Sequence, residues 1–423
     1  MEDNKNKNLS AASSQLKKTS IKEINGGVTA PKQFKASGIA AGLKKRNKKD
    51  LSLIYSLVPS VGAGVFTTNL YAAAPVQWCK KVLGGKTCCI ITNSGNANAC
   101  TGKKGFDNAE EMAEATAALL GIDKKQVFVC STGVIGVYLP MPAVLAGIPK
   151  AVEALSGRGS KACAEAIMTT DTYMKEFAVE YKQGGHAIRV GGIAKGSGMI
   201  HPNMATMLCY ITTDAAIGQK ALQAAVKLTA DKTFNMVTVD GDTSTNDTLL
   251  TLANGAAGNA DIKEGGEGWY EFCEALHSVC LYLAKAIAAD GEGATKLLEV
   301  EVIGANLQED ANKIAKAVAG SSLVKAAFFG EDANWGRIIC AAGYSGAQFL
   351  PDLVAVDLVS AAGTIPVMRS GAGIKFSEEQ AKKVLAEKEI KICISLYDGD
   401  YSAMAWGCDL TYDYVKINGS YRS

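Results

Sequence analysis

Hydrophobic and polar positions follow two periods along this chain, and each period predicts an element. Residues 268–289 place Trp269, Phe272, Leu276, Val279, Leu283 and Ile287 at i, i+3, i+4 spacing, which predicts a helix with one apolar face. Asp107 followed by Glu110 has the form of a capping box and predicts a helix running to Gly121. Ser377 with Gln380 predicts a second capped start, for a helix ending near Lys388. Short apolar runs at 88–92, 127–130, 207–212, 298–303, 353–359 and 391–396 predict buried strands. Helices and strands alternate, so the chain reads as α/β with substantial sheet. Periodicity alone does not separate parallel from antiparallel pairing. Residues 1–20 form a polar tail with no apolar stretch, and no arginine precedes Arg46, so neither a secretory leader nor an organellar transit peptide is expected. No repeat of 20–50 residues and no Gly/Pro/Ser-rich linker divides the remainder.

Composition narrows the picture. With 423 residues and 48% apolar content, the chain fills a sizeable core. Lys+Arg 44 against Asp+Glu 42 leaves a charge of +2, without the basic excess that a nucleic-acid or membrane-surface partner calls for. No uninterrupted apolar run reaches the ~18 residues of a membrane span. The 12 cysteines include no C-x-x-C pair. Cys130, Cys209, Cys280 and Cys393 sit in apolar runs and read as small buried hydrophobes in a reducing, cytoplasmic compartment. His186, His201 and His277 are the three histidines, and none joins a ligand cluster, so no metal is expected. If the chain is an enzyme, its base is expected not to be histidine.

Several segments carry candidate chemistry. Residues 84–87 (GGKT) lack the first glycine of a phosphate loop, and 196–198 (GSG) lack the spacing of a dinucleotide fingerprint. Residues 191–206 form a glycine-rich stretch that passes through Pro202 to Ala205-Thr206 and then enters a predicted strand. A threonine hydroxyl needs a base. If the Ala205-Thr206 bond were cut, the new α-amine, with a reference pKa of about 7.7–8.0, would supply one. The Thr206 hydroxyl would first attack the Ala205 carbonyl, and water would hydrolyse the resulting ester. Read by residues alone, the segment is either this junction or a loop entering a strand. Residues 130–136 (CSTGVIG) are either an oxyanion-holding turn or an ordinary one. Residues 93–99 (NSGNANA) either bind a polar ligand or turn the chain. Residues 239–247 (VDGDTSTND) lack the spacing of a calcium loop and read as a structural loop. The basic run 44–49 (KKRNKK) reads as a solvated face.

Together these strings resemble one family. Residues 195–208 (KGSGMIHPNMATML) resemble the self-processing junction of the ornithine acetyltransferase family, also called glutamate N-acetyltransferase. The resemblance continues at 27–31 (GVTAP), 64–69 (GVFTTN), 93–98, 131–136, 168–172 (MTTDT), 239–242, 291–295 (GEGAT), 330–337 (GEDANWGR) and 417–423 (INGSYRS). It implies an α/β/β/α sandwich like that of N-terminal-nucleophile hydrolases, cleaved at Ala205-Thr206. The α chain would cover 21–205 and the β chain 206–423, intertwined rather than independent, and assembled as α₂β₂. The implied activity moves the acetyl group of N-acetylornithine to glutamate through an acetyl-Thr206 ester, in arginine biosynthesis. Thr132 and Gly133 match the family's oxyanion hole. Thr172, Lys195, Thr206, Glu292, Asn418 and Ser423 match its substrate-binding positions. No resident cofactor is implied, and acetyl-CoA stays open as a co-substrate. The chain departs from many members after Thr172, where Tyr173-Met174-Lys175 replaces a proline-containing segment. Two rivals remain: an N-terminal-threonine aminopeptidase or amidase of the same architecture, and an uncut binding protein.

Overall fold

The computed structural model describes residues 20–201 and 207–419. Three mixed sheets organise the chain. The first has the order β1 (Lys22–Ile24), β7 (Lys175–Gln183), β8 (His186–Lys195), β9 (Leu208–Thr213), β10 (Thr248–Ala253), β4 (Val61–Phe66). The second runs β2 (Phe34–Ile39), β3 (Leu51–Ser56), β5 (Cys89–Asn96), β6 (Val127–Val134). The third runs β14 (Ala372–Gly373), β13 (Gly363–Arg369), β12 (Ala355–Ser360), β15 (Glu389–Ser395), β11 (Leu297–Ala305), β16 (Tyr401–Cys408). Pairing is parallel where a helix crosses over. Helix α2 (Gly102–Leu120) links β5 to β6, and α5 (Gln219–Lys232) links β9 to β10. The other neighbours are antiparallel except β11 and β15, between which several elements intervene.

The first two sheets stack face to face. Strand β9 shows why its sequence is apolar throughout: Leu208 and Tyr210 point into the layer between the sheets, and Cys209 and Ile211 point to the opposite face. The Thr92 hydroxyl of β5 donates to the Tyr210 phenol of β9 at 2.8 Å, joining the sheets across an otherwise apolar layer. Helices α1 (Ala74–Val82), α2, α3 (Met141–Glu153) and α4 (Ser160–Ile167) cover the second sheet, and α5 and α6 (Trp269–Ala289) cover the first. The result is the α/β/β/α sandwich that the resemblance implies. The third sheet, with α7 (Gln308–Gly320), α8 (Ser322–Phe329), α9 (Trp335–Gly343) and α10 (Glu378–Leu385), shares the core of α6, and α11 (Tyr412–Asn418) follows it. Helix α6 is long and apolar enough to cross a membrane by length and composition. Here Phe272, Leu276, Val279 and Leu283 are buried in the protein core.

Some sequence expectations need correction. Helix α2 begins at Gly102, a turn before Asp107; Asp107 lies inside it and pairs with Lys103 at 2.7 Å. Ser377 does cap α10, accepting the Gln380 N–H at 3.2 Å, but the helix stops at Leu385 because Lys388 already enters the third sheet, accepting the Leu297 N–H. Strand β12 starts at Ala355 because Pro351–Leu353 forms a single 3₁₀ turn. Cys130, Cys209 and Cys280 are buried, whereas Cys393 is half-buried beside Glu301.

Candidate active site

The predicted junction joins β8 to β9, which are antiparallel neighbours with Lys195 opposite Leu208. Ala205, Thr206 and the C-terminal Ser423 lie outside the described residues. The approaches on both sides are held by one loop. Asp240 accepts the Met199 N–H at 2.6 Å and the Ile200 N–H at 2.9 Å, while its own N–H and that of Val239 donate to the Ile200 carbonyl. Asp247 accepts the Met207 N–H at 3.1 Å. Burial pushes the Asp247 carboxyl well up, against the opposing Met207 N–H and Lys195, and its second oxygen has no hydrogen-bond partner among the described residues. Residues 239–247 are thus more than a structural loop: they clamp the segment before the junction and the residue after it.

One wall of the cavity bordered by Lys195 and Met199 is built from neutral groups. Strands β5 and β6 run past their apolar stretches, pairing Ser94 with Thr132 and Gly95 with Gly133. Their polar side chains satisfy each other inside the fold. The Ser131 hydroxyl donates to Asn93 Oδ1 at 2.5 Å, and Asn246 Nδ2 donates to the Ala97 carbonyl at 2.7 Å and the Ser131 carbonyl at 2.8 Å. Gly133 has φ +133°, and a Cβ there would lie 2.3 Å from the Gly95 carbonyl carbon. Only glycine lets the two strand ends meet.

The facing wall is charged. Lys175 is fully buried, with Nζ 2.9 Å from Asp171 and 2.5 Å from Asp290. Asp171 also accepts the Thr169 N–H at 2.9 Å and the Gly196 N–H at 2.7 Å, and its Oδ2 lies 3.9 Å from Lys195 Nζ. Burial acts to raise the Asp171 pKa, but Lys195, Lys175 and the two N–H groups outweigh it and hold the carboxyl well below the usual carboxylate range. Burial lowers the Lys195 pKa, with Asp171 opposing and Lys175 adding to the fall. Glu292 donates its N–H to the Ser197 carbonyl at 2.8 Å and accepts from Asn418 Nδ2 at 2.8 Å. A Cβ on Gly198 would lie 2.3 Å from that carboxylate. Asn418 ends α11, whose Tyr414 hydroxyl donates to Asp240 at 3.2 Å.

Between the walls is a cavity of about 220 Å³. It brings together five of the expected residues: Thr132, Gly133, Lys195, Glu292 and Asn418. Thr172 is not among its lining. Its N–H and hydroxyl both donate to Asp290, and its side chain stands at the surface. The sequence reading missed Asn246, Asp171 and the two clamp aspartates; the density of carboxylates in 239–247 was the signal available. His201 bonds Thr238 at 3.2 Å, and burial lowers its pKa, so it is neutral at physiological pH. Among the described residues no group of three or more His, Cys, Asp or Glu is arranged to hold a metal.

Thr132 and Gly133 thus share a small cavity with a buried cation, Lys195, and a carboxylate, Glu292, an arrangement compatible with an enzyme that acts on small charged molecules. The chain belongs to the ArgJ family, whose sequence profile matches residues 35–423. It is 54% identical over 403 residues to the arginine biosynthesis bifunctional protein ArgJ of Symbiobacterium thermophilum, covering 95% of this chain and 99% of that one. The same-named protein of Bacillus subtilis is 48% identical over 411 residues, covering 97% and 100%. Among solved structures, the Bacillus halodurans protein of that name is 46% identical with a TM-score of 0.47, over 50% of this chain and 97% of that one. Ornithine acetyltransferase of Mycobacterium tuberculosis, solved with ornithine, is 38% identical with a TM-score of 0.40, over 45% and 100%.

Proposed function

We propose that this chain transfers the acetyl group of N2-acetylornithine to glutamate, through an ester on Thr206 after cleavage of the Ala205-Thr206 bond. The observation that carries the reading is the cavity between β6 and β8, where Thr132-Gly133 faces Lys195 and Glu292. Cleavage proceeds by attack of the Thr206 hydroxyl on the Ala205 carbonyl, an N-to-O shift, and hydrolysis of the ester. The freed α-amine then takes the hydroxyl proton as Thr206 attacks the acetyl carbonyl of the donor. Thr132 and Gly133 stabilise the oxyanion, ornithine leaves with the proton, and the amine of glutamate attacks the acetyl ester to complete the exchange.

The charges suit the two amino acids. Lys195 pairs with an α-carboxylate and Glu292, steadied by Asn418, with an ammonium group. Ser423 and Thr172, the latter held by Asp290 outside the cavity lining, are the further substrate contacts that the resemblance implies. Water has to be kept from the ester, or acetyl groups are lost. The reaction needs no resident cofactor or metal, and whether acetyl-CoA is also accepted as a donor is decided by the assay below. The active form is a cytoplasmic α₂β₂ assembly.

The test incubates the purified chain with N2-acetylornithine and glutamate and follows products by mass spectrometry. N-acetylglutamate supports the proposal; acetate without N-acetylglutamate supports a hydrolase instead. Thr206→Ala is expected to run as one band on a denaturing gel and to be inactive, where the parent runs as two. Turnover by an uncut parent would overturn the mechanism. Acetyl-CoA and glutamate without acetylornithine measure the second donor activity.

A further inference from the structure

Lys44 belongs to none of the groups assigned above. Its neighbours Lys45, Arg46, Asn47 and Lys48 are exposed, as expected for the basic run, but the Lys44 side chain turns inward. The turn is set by Asp50, which accepts the N–H groups of Ala41, Gly42, Leu43 and Lys44 at 2.6, 3.1, 2.6 and 2.9 Å. From there Nζ reaches the carbonyls of Met168 at 2.6 Å, Lys49 at 3.0 Å and Ala166 at 3.5 Å. The Ala166 carbonyl also accepts the Ser94 hydroxyl at 2.5 Å. The stem packs on Gly95: a Cβ there would lie 3.3 Å from Lys44 Cγ. Gly95 is the register partner of Gly133, and Met168 leads directly into Thr169 and Thr170, which line the cavity.

We propose that Lys44 is a positioning residue for the acyl-transfer pocket: its ammonium gathers the Met168, Lys49 and Ala166 carbonyls behind Gly95, setting the spacing between the Thr132-Gly133 strand end and the segment 169–171. The inference rests on the transferase reading above. An ammonium has three donors for three carbonyls, and a neutral amine has two. Burial lowers the Lys44 pKa to about 8; Asp50 and Asp171 oppose the fall, and Lys195 and Lys48 add to it. The Lys49–Glu165 pair, at 2.5 Å, is the remaining charge pair on this loop. The gathering form is the cation, so it is present below about 8 and lost as pH rises through that value.

The test measures kcat and KM for acetylornithine from about pH 6 to about pH 10 in the parent, Lys44→Met and Lys44→Arg. The parent is expected to show a falling limb near the Lys44 pKa of about 8 that overlaps the rising limb of the Thr206 amine and narrows the profile. Lys44→Met is expected to lose about tenfold or more in kcat/KM, mainly through KM, and to lack that limb. Lys44→Arg stays charged throughout the range and is expected to recover most activity without the limb. Lys195 is present in all three proteins and any limb of its own is common to them, so loss of the limb in Lys44→Arg assigns it to Lys44. If Lys44→Met does not fold, the Lys44→Arg profile decides alone. Parent-like constants in Lys44→Met, or an unchanged limb in Lys44→Arg, overturn the inference. A parent that forms no N-acetylglutamate overturns the transferase reading instead.

Discussion

The wall formed by β5, β6 and Asn246 keeps its shape with neutral groups, whereas the wall of Asp171, Lys175, Lys195, Asp290 and Glu292 keeps its shape with charge. In the first, amides and hydroxyls satisfy one another and glycine permits close contact at the cavity face, while the Lys44 ammonium stands behind it on backbone carbonyls. In the second, every group depends on a partner from another part of the chain, and removing one strands the others in a medium that solvates them poorly. On the function proposed above, the difference is a division of labour. A site for a developing oxyanion needs fixed dipoles, and a site for amino acids needs counter-charges whose state is tuned by burial.

The largest expected effect strikes the charged wall. Lys175→Met leaves Asp171 and Asp290 buried without their shared cation, and is expected to cost about 3–5 kcal/mol in urea unfolding. A loss below about 1 kcal/mol would mean that the carboxylates find other partners. Next comes the neutral wall. Gly133→Ala drives a Cβ into the Gly95 backbone and is expected to lower kcat about a hundredfold with KM little changed. An equal fall in stability would show that this glycine serves packing alone. Asn418→Ala frees the Glu292 carboxylate and is expected to raise KM about tenfold at nearly constant kcat.

The smallest effect is a pH dependence. Asp247 has a folded-state pKa raised above its unfolded value, so its contribution to stability is fully present below about 4 and is lost as pH rises through the folded value. Asp247→Asn keeps an acceptor for the Met207 N–H. It is expected to flatten the unfolding free energy over that window, as measured by denaturant titrations at several pH values. An unchanged slope would place the dependence elsewhere.

Elements buried on repeating faces were legible in the sequence. The run at 207–212 is apolar on both sides because β9 is covered on both, and the spacing in 268–289 reports the face that α6 buries. The strand ends at 93–96 and 131–134 were not legible. Their Asn, Ser and Gly residues look like turns, and only mutual hydrogen bonding keeps them extended. Lys195 and Glu292 followed from the resemblance, but the network behind them did not. Asp171 and Lys175 meet within one short segment, while Asp290 arrives from the end of α6, a distance along the chain that no local pattern encodes. Lys44 was hidden for the opposite reason: four exposed neighbours disguise one inward side chain.

The ladder between β8 and β9 has a thermodynamic consequence. Six residue pairs, from Val190 with Thr213 to Lys195 with Leu208, cross the position where the chain would be severed. Once cut, the molecule can lose its native state only by becoming two separate solutes, and can regain it only when they collide. Its melting would depend on concentration, and its endurance would be set by the rate at which that central seam opens.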